Sequence, residues 1–266
     1  MTSLPTDVDL GAALADGFVA SRPTPILLTG YYEASLRARE KPDGAFRHPI
    51  YGLPTGSSRR SRRAEIDAGA LAGRGLELFW TDDPIELFFL HVQGSGRLDL
   101  GGGRQARIAF AGSNDYPYRS IGSDLLRRGV FGKPDDATAP AIKDHLRDEA
   151  RRLQKILQGN PRYIYFRVID APQHEGPPGA LGAPLVPFRS VAVDPKVAPL
   201  GSVGILRATL PDHREIETLV VAMDTGNAIR GPSRIDLFTG SDAEAQSLAG
   251  RLRTRGTMTW LRPRQY

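Results

Sequence analysis

A chain of 266 residues with 40% hydrophobic and 8% aromatic side chains has an ordinary globular inventory, enough for one large domain or two modest ones. The absence of cysteine excludes disulfide frameworks, thiolate metal centres and cysteine nucleophiles, and no run of eighteen apolar residues is present to cross a bilayer as a helix. Thirty-five Lys and Arg against 30 Asp and Glu leave a formal charge of +5, a bias toward polyanions that keeps nucleic acid, an acidic lipid surface and an acidic cell-wall polymer all open.

Along the chain, residues 7–20 read as a short helix, and PILLTGYYEASL (25–36) as a strand running into an aromatic segment. KPDGAF (41–46) is a turn, and Ser61 is placed to cap a helix through Ala72 that Gly73 and Gly75 stop. LELFW, IELFFLHVQ, the Gly-rich GSGRLDLGGG and RIAFAG follow as a strand meander with tight turns. From Thr138 to Gly159 one helix is expected, because Ile142, Leu146, Ala150, Leu153 and Leu157 share a stripe.

RYIYFRVI (162–169) is a strand, and the Pro- and Gly-rich residues 171–188 are irregular. Short strands follow at SVAV (190–193), VGILRA (203–208), TLVVAMD (218–224) and RIDLFT (234–239). Ser241 and Glu244 have capping-box spacing for a helix, and GTMTWL (256–261) closes the chain. Strands this short and this closely spaced predict a small closed barrel rather than a parallel α/β sheet.

Several motifs invite chemistry and carry little. GSGRLDLGGG lacks a Gly-Lys-Ser/Thr ending and precedes a strand where a nucleotide loop needs a helix, so hairpin turns explain it. SSRRSRR (57–63) reads as a solvated basic face. The histidines at 48, 91, 145, 174 and 213 form no metal-binding pair, and no Gly-x-Ser-x-Gly elbow occurs.

The carboxylates carry more. Asp194 ends SVAV, Asp224 ends TLVVAM and Asp236 sits inside RIDLF, so three acids lie at or near the ends of three short apolar strands. A single one would be a turn cap. Three in one barrel, two of them joined across a loop with Gly226, Gly231 and Pro232 that reads as a hairpin, suggest a cluster that holds one carboxyl protonated by repulsion and desolvation. Two chemistries use such an acid: water activation by an aspartic-protease-like homodimer built on the Asp-Thr-Gly of MDTGNA, and glycosidic bond cleavage. The residues alone do not rank Asp224 against Asp236.

Eight ordered blocks add a resemblance. GYYEASLRARE, PIYGLP, RRAEIDAGAL, DPIELFFLHVQGSGRL, AGSNDYPYRSIG, NPRYIYFR, GALGAPLVPFRSVAVD and AMDTGNAIRGPSRIDLFTG, from about Gly30 to the C-terminus, resemble the MltA family of membrane-bound lytic murein transglycosylases. The resemblance implies a mainly β protein: a double-psi β-barrel, the 3D domain, made of residues 1–34 and 160–266, with a second β-rich domain, 35–159, inserted in it and a substrate groove between them. It implies Asp236 as the catalytic acid/base, Asp224 as its supporting neighbour and Asp194 as the third aspartate. It also places Tyr31, Tyr32, Gln93, Ser95, Asn114 and Tyr118 in matching blocks as candidates to contact glycan. The implied reaction cleaves between N-acetylmuramic acid and N-acetylglucosamine and leaves 1,6-anhydro ends, without cofactor or metal.

The implied partner is peptidoglycan rather than nucleic acid, with peripheral association to the outer membrane or to cell-wall enzymes. Because the first residues lack a signal-peptide pattern, the expectation is a periplasmic protein whose export segment is not in this chain. Three positions depart from the family pattern: Glu33-Ala34 where a Pro often follows Gly-Tyr-Tyr-x, Gly159 before the Asn-Pro pair, and Asn227 where a second Gly is usual. If the loop at 227 is left-handed, Asn is less at ease there than Gly. Beside the lyase stand the homodimeric protease and a non-catalytic glycan-binding barrel.

Overall fold

The computed structural model describes residues 17–172 and 175–264. Its strands are β1 (Phe18–Ala20), β2 (Thr24–Tyr31), β3 (Ala34–Arg39), β4 (His48–Tyr51), β5 (Glu77–Thr81), β6 (Ser95–Gly101), β7 (Arg104–Ser113), β8 (Ile164–Ile169), β9 (Ser190–Val193), β10 (Val203–Thr209), β11 (Glu215–Thr225), β12 (Arg234–Phe238) and β13 (Arg253–Pro263). Of the helix expected at 7–20, residues 7–16 lie outside the described residues, and Phe18–Ala20 is a strand paired with the end of β13.

The first sheet runs β1-β13-β10-β11-β9-β12-β2, and a further β13–β2 pairing closes its last six strands into a barrel. Consecutive strands straddle a third: β11 and β12 lie on either side of β9, and β12 and β13 on either side of β2. This interleaving is the double-psi barrel. Alternation fills it, with Ile26 and Leu28 of β2, Val191 and Val193 of β9, and Ile235 and Leu237 of β12 all pointing inward. Leu28 is fully buried there, and truncating such a side chain costs about 2–5 kcal/mol.

The stretch 221–238 is therefore not a hairpin, because β9 lies between its two arms. A hairpin reading assumes that consecutive strands pair, whereas here the loop crosses over the end of another strand.

The second sheet, β4-β5-β3-β6-β7-β8, spans Ala34 to Ile169. It includes β8, which pairs antiparallel with β7. The chain leaves the barrel at Tyr32-Glu33, splitting the single strand expected at 25–36 in two. Glu33 is buried at this crossing and holds both sheets together. Its carboxylate receives Arg97 of β6 at 2.7 Å, Arg107 of β7 at 2.9 Å and the Ser241 hydroxyl at 2.8 Å, while its N–H bonds the Gly240 carbonyl.

The main correction falls on IELFFLHVQ, which is a helix, Pro84–Gln93. The Asp83 carboxylate accepts the N–H groups of Ile85 and Glu86, Pro84 occupies the first turn, and Gly94 closes the end at φ 85°. Its apolar residues serve two cores. Leu87 and Leu90 pack on the second sheet, and Ile85, Phe88 and Phe89 pack with Ile121, Leu125, Ile142, Leu146 and Leu157. Burial on both sides erases the amphipathic period that would have marked a helix.

The helix expected over 138–159 is two, Ala139–Asp148 and Leu153–Leu157, because a turn at Glu149–Arg152 swings both pieces onto that same cluster. The helix after Ser61 is one short segment, Arg63–Asp67, and Arg62 rather than Ser61 precedes it. Asp242 rather than Ser241 caps the last helix, Ala243–Arg251, leaving Ser241 free to bind Glu33. The basic run 57–63 is only partly a solvated face. Arg63 is buried, donates to the carbonyls of Asn160 and Arg162, and lies over the rings of Phe88 and Tyr163.

Candidate active site

Side chains on β12 alternate, so Ile235 and Leu237 fill the barrel while Arg234 and Asp236 face out. On β11 the same rule would send Asp224 inward, two residues after the buried Ala222. A register shift between Ala222 and Asp224 reverses it. Ala222 pairs with the inward Val191, yet Asp224 pairs with the outward Ala192, so the bulge re-aims the carboxylate to the outer face.

Asp236 also pairs with Ala192, from the other side of β9. The outer row then continues from Asp236 to Thr29 of β2 and to Arg253 of β13. At ordinary strand spacing the two aspartate backbones stand about 10 Å apart, with only a methyl group between their side chains.

Asp224 and Asp236 of this row line a groove of about 640 Å³ between barrel and second sheet, and Asp236, Thr29 and Arg253 line the pocket beside it. An adjoining pocket of about 330 Å³ shares Tyr31, Gln93, Tyr118, Ile229 and Asp236 with it, so Asp236 lies where the two meet. The Thr29 hydroxyl donates to Asp236. Burial pushes the Asp236 carboxyl above its ordinary value and the charge of Asp224 adds to this, while Thr29 and Arg234 pull the other way.

Asp224 is also raised by burial, but it accepts backbone N–H groups from Thr225 at 2.8 Å and Ala180 at 3.1 Å, which favour its ionised form. Asp236 has no such backbone donors among its described hydrogen bonds. Of the two, Asp236 is the one whose surroundings suit a proton carrier.

Asp194 stands apart. It is buried, lines neither cavity, and accepts from Gly231 at 2.9 Å and Lys196 at 3.1 Å. Those two backbone N–H groups hold it below the usual carboxylate range. Its geometry is that of an anchor tying the 226–232 loop to the end of β9.

Four of the six residues in matching blocks, Tyr31, Gln93, Ser95 and Tyr118, line the groove. The Tyr31 hydroxyl is buried beside the Asp224 carboxylate. Burial, then the nearby charges of Asp224 and Asp236, raise it well above the ordinary phenol value. The other two do not reach the groove. Tyr32 is buried in the core of the second sheet, its N–H held by Gln93. Asn114 is buried and spends its amide on the carbonyls of Ser61 and Pro161 and the N–H of Tyr163. Both were candidates because they belong to matching blocks, and in the fold their side chains are engaged in packing and hydrogen bonds away from the groove.

Asn227 lines the groove and is not among the residues with positive φ, so replacing Gly there meets no backbone penalty. Sequence reasoning missed the half-exposed Phe110 on the groove wall, the Ala180 N–H, Thr29, Arg162 and Arg230. Only Thr29 had a signal: it precedes Gly-Tyr-Tyr, on the face of β2 opposite the apolar Ile26 and Leu28. No group of three or more His, Cys, Asp or Glu suited to a metal occurs among the described residues.

A closed double-psi barrel with an acid pair on its outer face and a second β sheet across a groove defines a two-part β protein with a cleft between its parts. Residues 56–167 match the MltA specific insert domain and residues 189–262 the 3D domain. The chain belongs to the MltA family.

It is 35% identical over 235 residues to the membrane-bound lytic murein transglycosylase A of Vibrio cholerae and 36% identical over 238 residues to that of Escherichia coli K12, matching 85% of this chain in both comparisons. The chain spans 62% of the length of each of these relatives. Among solved structures, the membrane-bound lytic murein transglycosylase of Agrobacterium tumefaciens superposes with a TM-score of 0.85 at 32% identity, covering 94% of this chain and 77% of that one. E. coli MltA with bound chitohexaose superposes with a TM-score of 0.81 at 32% identity, over 91% and 72%.

Proposed function

We propose that this chain is a lytic transglycosylase of peptidoglycan, with Asp236 as its single acid/base. The observation that carries the reading is the placement of Asp236 on the groove floor, its carboxyl raised by burial and facing an ionisable neighbour across Ala192. Membership of the MltA family and the likeness to a relative holding chitohexaose support a glycan as the occupant.

In this reading the protonated Asp236 donates to the oxygen between N-acetylmuramic acid and N-acetylglucosamine, and positive charge develops at C1 of the muramic ring. The resulting carboxylate then takes the proton of that sugar's C6 hydroxyl. O6 bonds to C1 as the glycosidic bond breaks, leaving a 1,6-anhydro end and no net uptake of water. The nucleophile belongs to the substrate, so one acid/base suffices where hydrolases use two carboxylates. Asp224 keeps Asp236 protonated, and Tyr31, Gln93, Ser95 and Tyr118 contact sugar. Tyr32, Asn114 and Asp194 support the site from behind.

The division we favour assigns residues 34–169 to the inserted part and the remaining described residues to the barrel, moving the expected boundary at 160 past β8. Peptidoglycan as substrate implies work in the periplasm. The membrane-bound names of the relatives support association with a membrane, which in this reading is the outer membrane, and no helix among the described residues is long and apolar enough to cross one.

A homodimeric protease would need a second copy to complete its acid pair, and Asp236 already stands beside Asp224 in one chain. Mass spectrometry of murein digests tests the reading. Anhydro-muropeptides are expected from the wild type, and their undiminished release by Asp236→Asn would sink the mechanism. Reducing ends would indicate hydrolysis, and unchanged glycan a binder.

A further inference from the structure

The smaller pocket differs in character from the groove it adjoins. Arg234, Arg251 and Arg253 line it, and the acids there are Asp236 and Asp135 alone. Arg253 meets Asp135 at 3.6 Å, and both side chains are substantially exposed, so this pair is loose and solvent-screened. The Arg251 Nε bonds the Ser247 carbonyl at the end of its own helix. Arg234 is partly buried, and its Nη1 is shielded from solvent with no hydrogen-bond partner. A buried guanidinium nitrogen without an acceptor is costly to maintain, because desolvation is uncompensated. Three forked donors thus face two acids, Asp135 in a loose pair and Asp236, so cationic groups outnumber acidic ones in this cavity and suit an incoming anion.

We infer that the arginine pocket on this side of Asp236 receives a carboxylate carried on the lactyl arm of the muramic sugar next to the cleaved bond. The inference rests on the murein reading and deepens it. A glycan running along the groove passes Asp236 into this pocket, and in murein every second sugar bears an acidic arm, whereas a chitin-type glycan bears none. Arg234 sits two residues from Asp236 on the same face of β12, and Arg253 lies in the cross-strand row of Asp236 and Thr29. Recognition of the arm therefore happens within one sugar of the chemistry. The carboxylate has two sources, the stem peptide or the lactyl group itself once a stem has been removed.

The test uses three ligands with the wild type and the Arg251→Gln/Arg253→Gln double variant, both altered residues being exposed. The ligands are murein glycan with stems, amidase-treated murein with free lactyl acids, and neutral chitohexaose measured by binding alone. The double variant is expected to lose about tenfold in kcat/KM on the acid-bearing substrates while binding chitohexaose as the wild type does. Rising salt should raise the wild-type KM for murein and leave chitohexaose binding unmoved. Loss only on amidase-treated murein assigns the free lactyl carboxylate, loss only with stems present assigns the stem, and loss on both shows that the pocket takes either acid; each supports the pocket. Equal losses on all three ligands, or no loss on any, overturn it. A wild type that releases no anhydro ends from any murein fails the transglycosylase reading instead, a distinguishable result.

Discussion

Asp224 and Asp236 take the same register partner, Ala192, from opposite sides of β9. The small side chain between them is what lets two carboxylates face one groove while their backbones stay two strand spacings apart. At that range Asp224 acts on Asp236 through its charge, as the upward push on the Asp236 carboxyl reflects.

Filling the gap should uncouple the pair. Ala192→Leu, at a buried position, is expected to cost about 1–3 kcal/mol through overpacking. It should lower kcat more than it raises KM, because the glycan contacts elsewhere in the groove are untouched. Denaturant titration with steady-state release of anhydro ends measures both.

The pH dependence has a worked sign. In the proposed mechanism Asp236 acts in its protonated form, so activity is expected to fall as pH rises through its raised pKa. Thr29→Val removes a donor that favours the ionised form and should move this basic limb to higher pH. Asp224→Asn removes a charge that favours the protonated form and should move it lower. Opposite displacements in kcat profiles are the expected signature, and shifts in the same direction would count against Asp236 as the titrating group.

Removing the acid should stabilise the fold. The Asp236 carboxyl is raised in the folded protein, so its folded form prefers the proton. The destabilising influence of ionisation appears as pH climbs above the unfolded value of about 3.9 and grows up to the folded pKa. Asp236→Asn is therefore expected to raise Tm at pH 7 and to lose that advantage near pH 3, while anhydro-product release falls at least about a hundredfold. Calorimetry across pH reads the first effect and product analysis the second.

Glu33 offers a different prediction. Glu33→Gln leaves the fully buried Arg107 with a neutral partner, and breaking a buried pair in this way costs about 3–5 kcal/mol. Because Glu33 also holds Ser241 and sits where the chain crosses between sheets, activity should fall with the pH profile unmoved. Urea unfolding and the kcat profile together separate this from a catalytic role.

Asp194→Ala should release the 226–232 loop that Gly231 ties down. The expected result is a higher KM and a lower Tm with the basic limb of the pH profile in place, measured on the same murein substrate.

Much of this protein is written locally. The alternation of SVAV, VGILRA and RIDLF, the turn residues between them and the spacing of short strands determined a closed β-barrel. Eight ordered blocks determined the family, and three aspartates at strand ends marked the acid cluster.

Tertiary structure decided what local pattern cannot hold. IELFFLHVQ is apolar on both sides because it packs between two cores, so its helical period is invisible until both partners are known. Tyr32 and Asn114 share their sequence blocks with groove residues, and only burial separates packing from contact. Above all, the two aspartates of 221–238 meet across a strand from elsewhere in the chain, and a one-residue bulge turns Asp224 outward. In β structure, strand pairing and side-chain facing depend on register with distant segments, so a shift of one residue reverses a face and leaves no trace in the letters themselves.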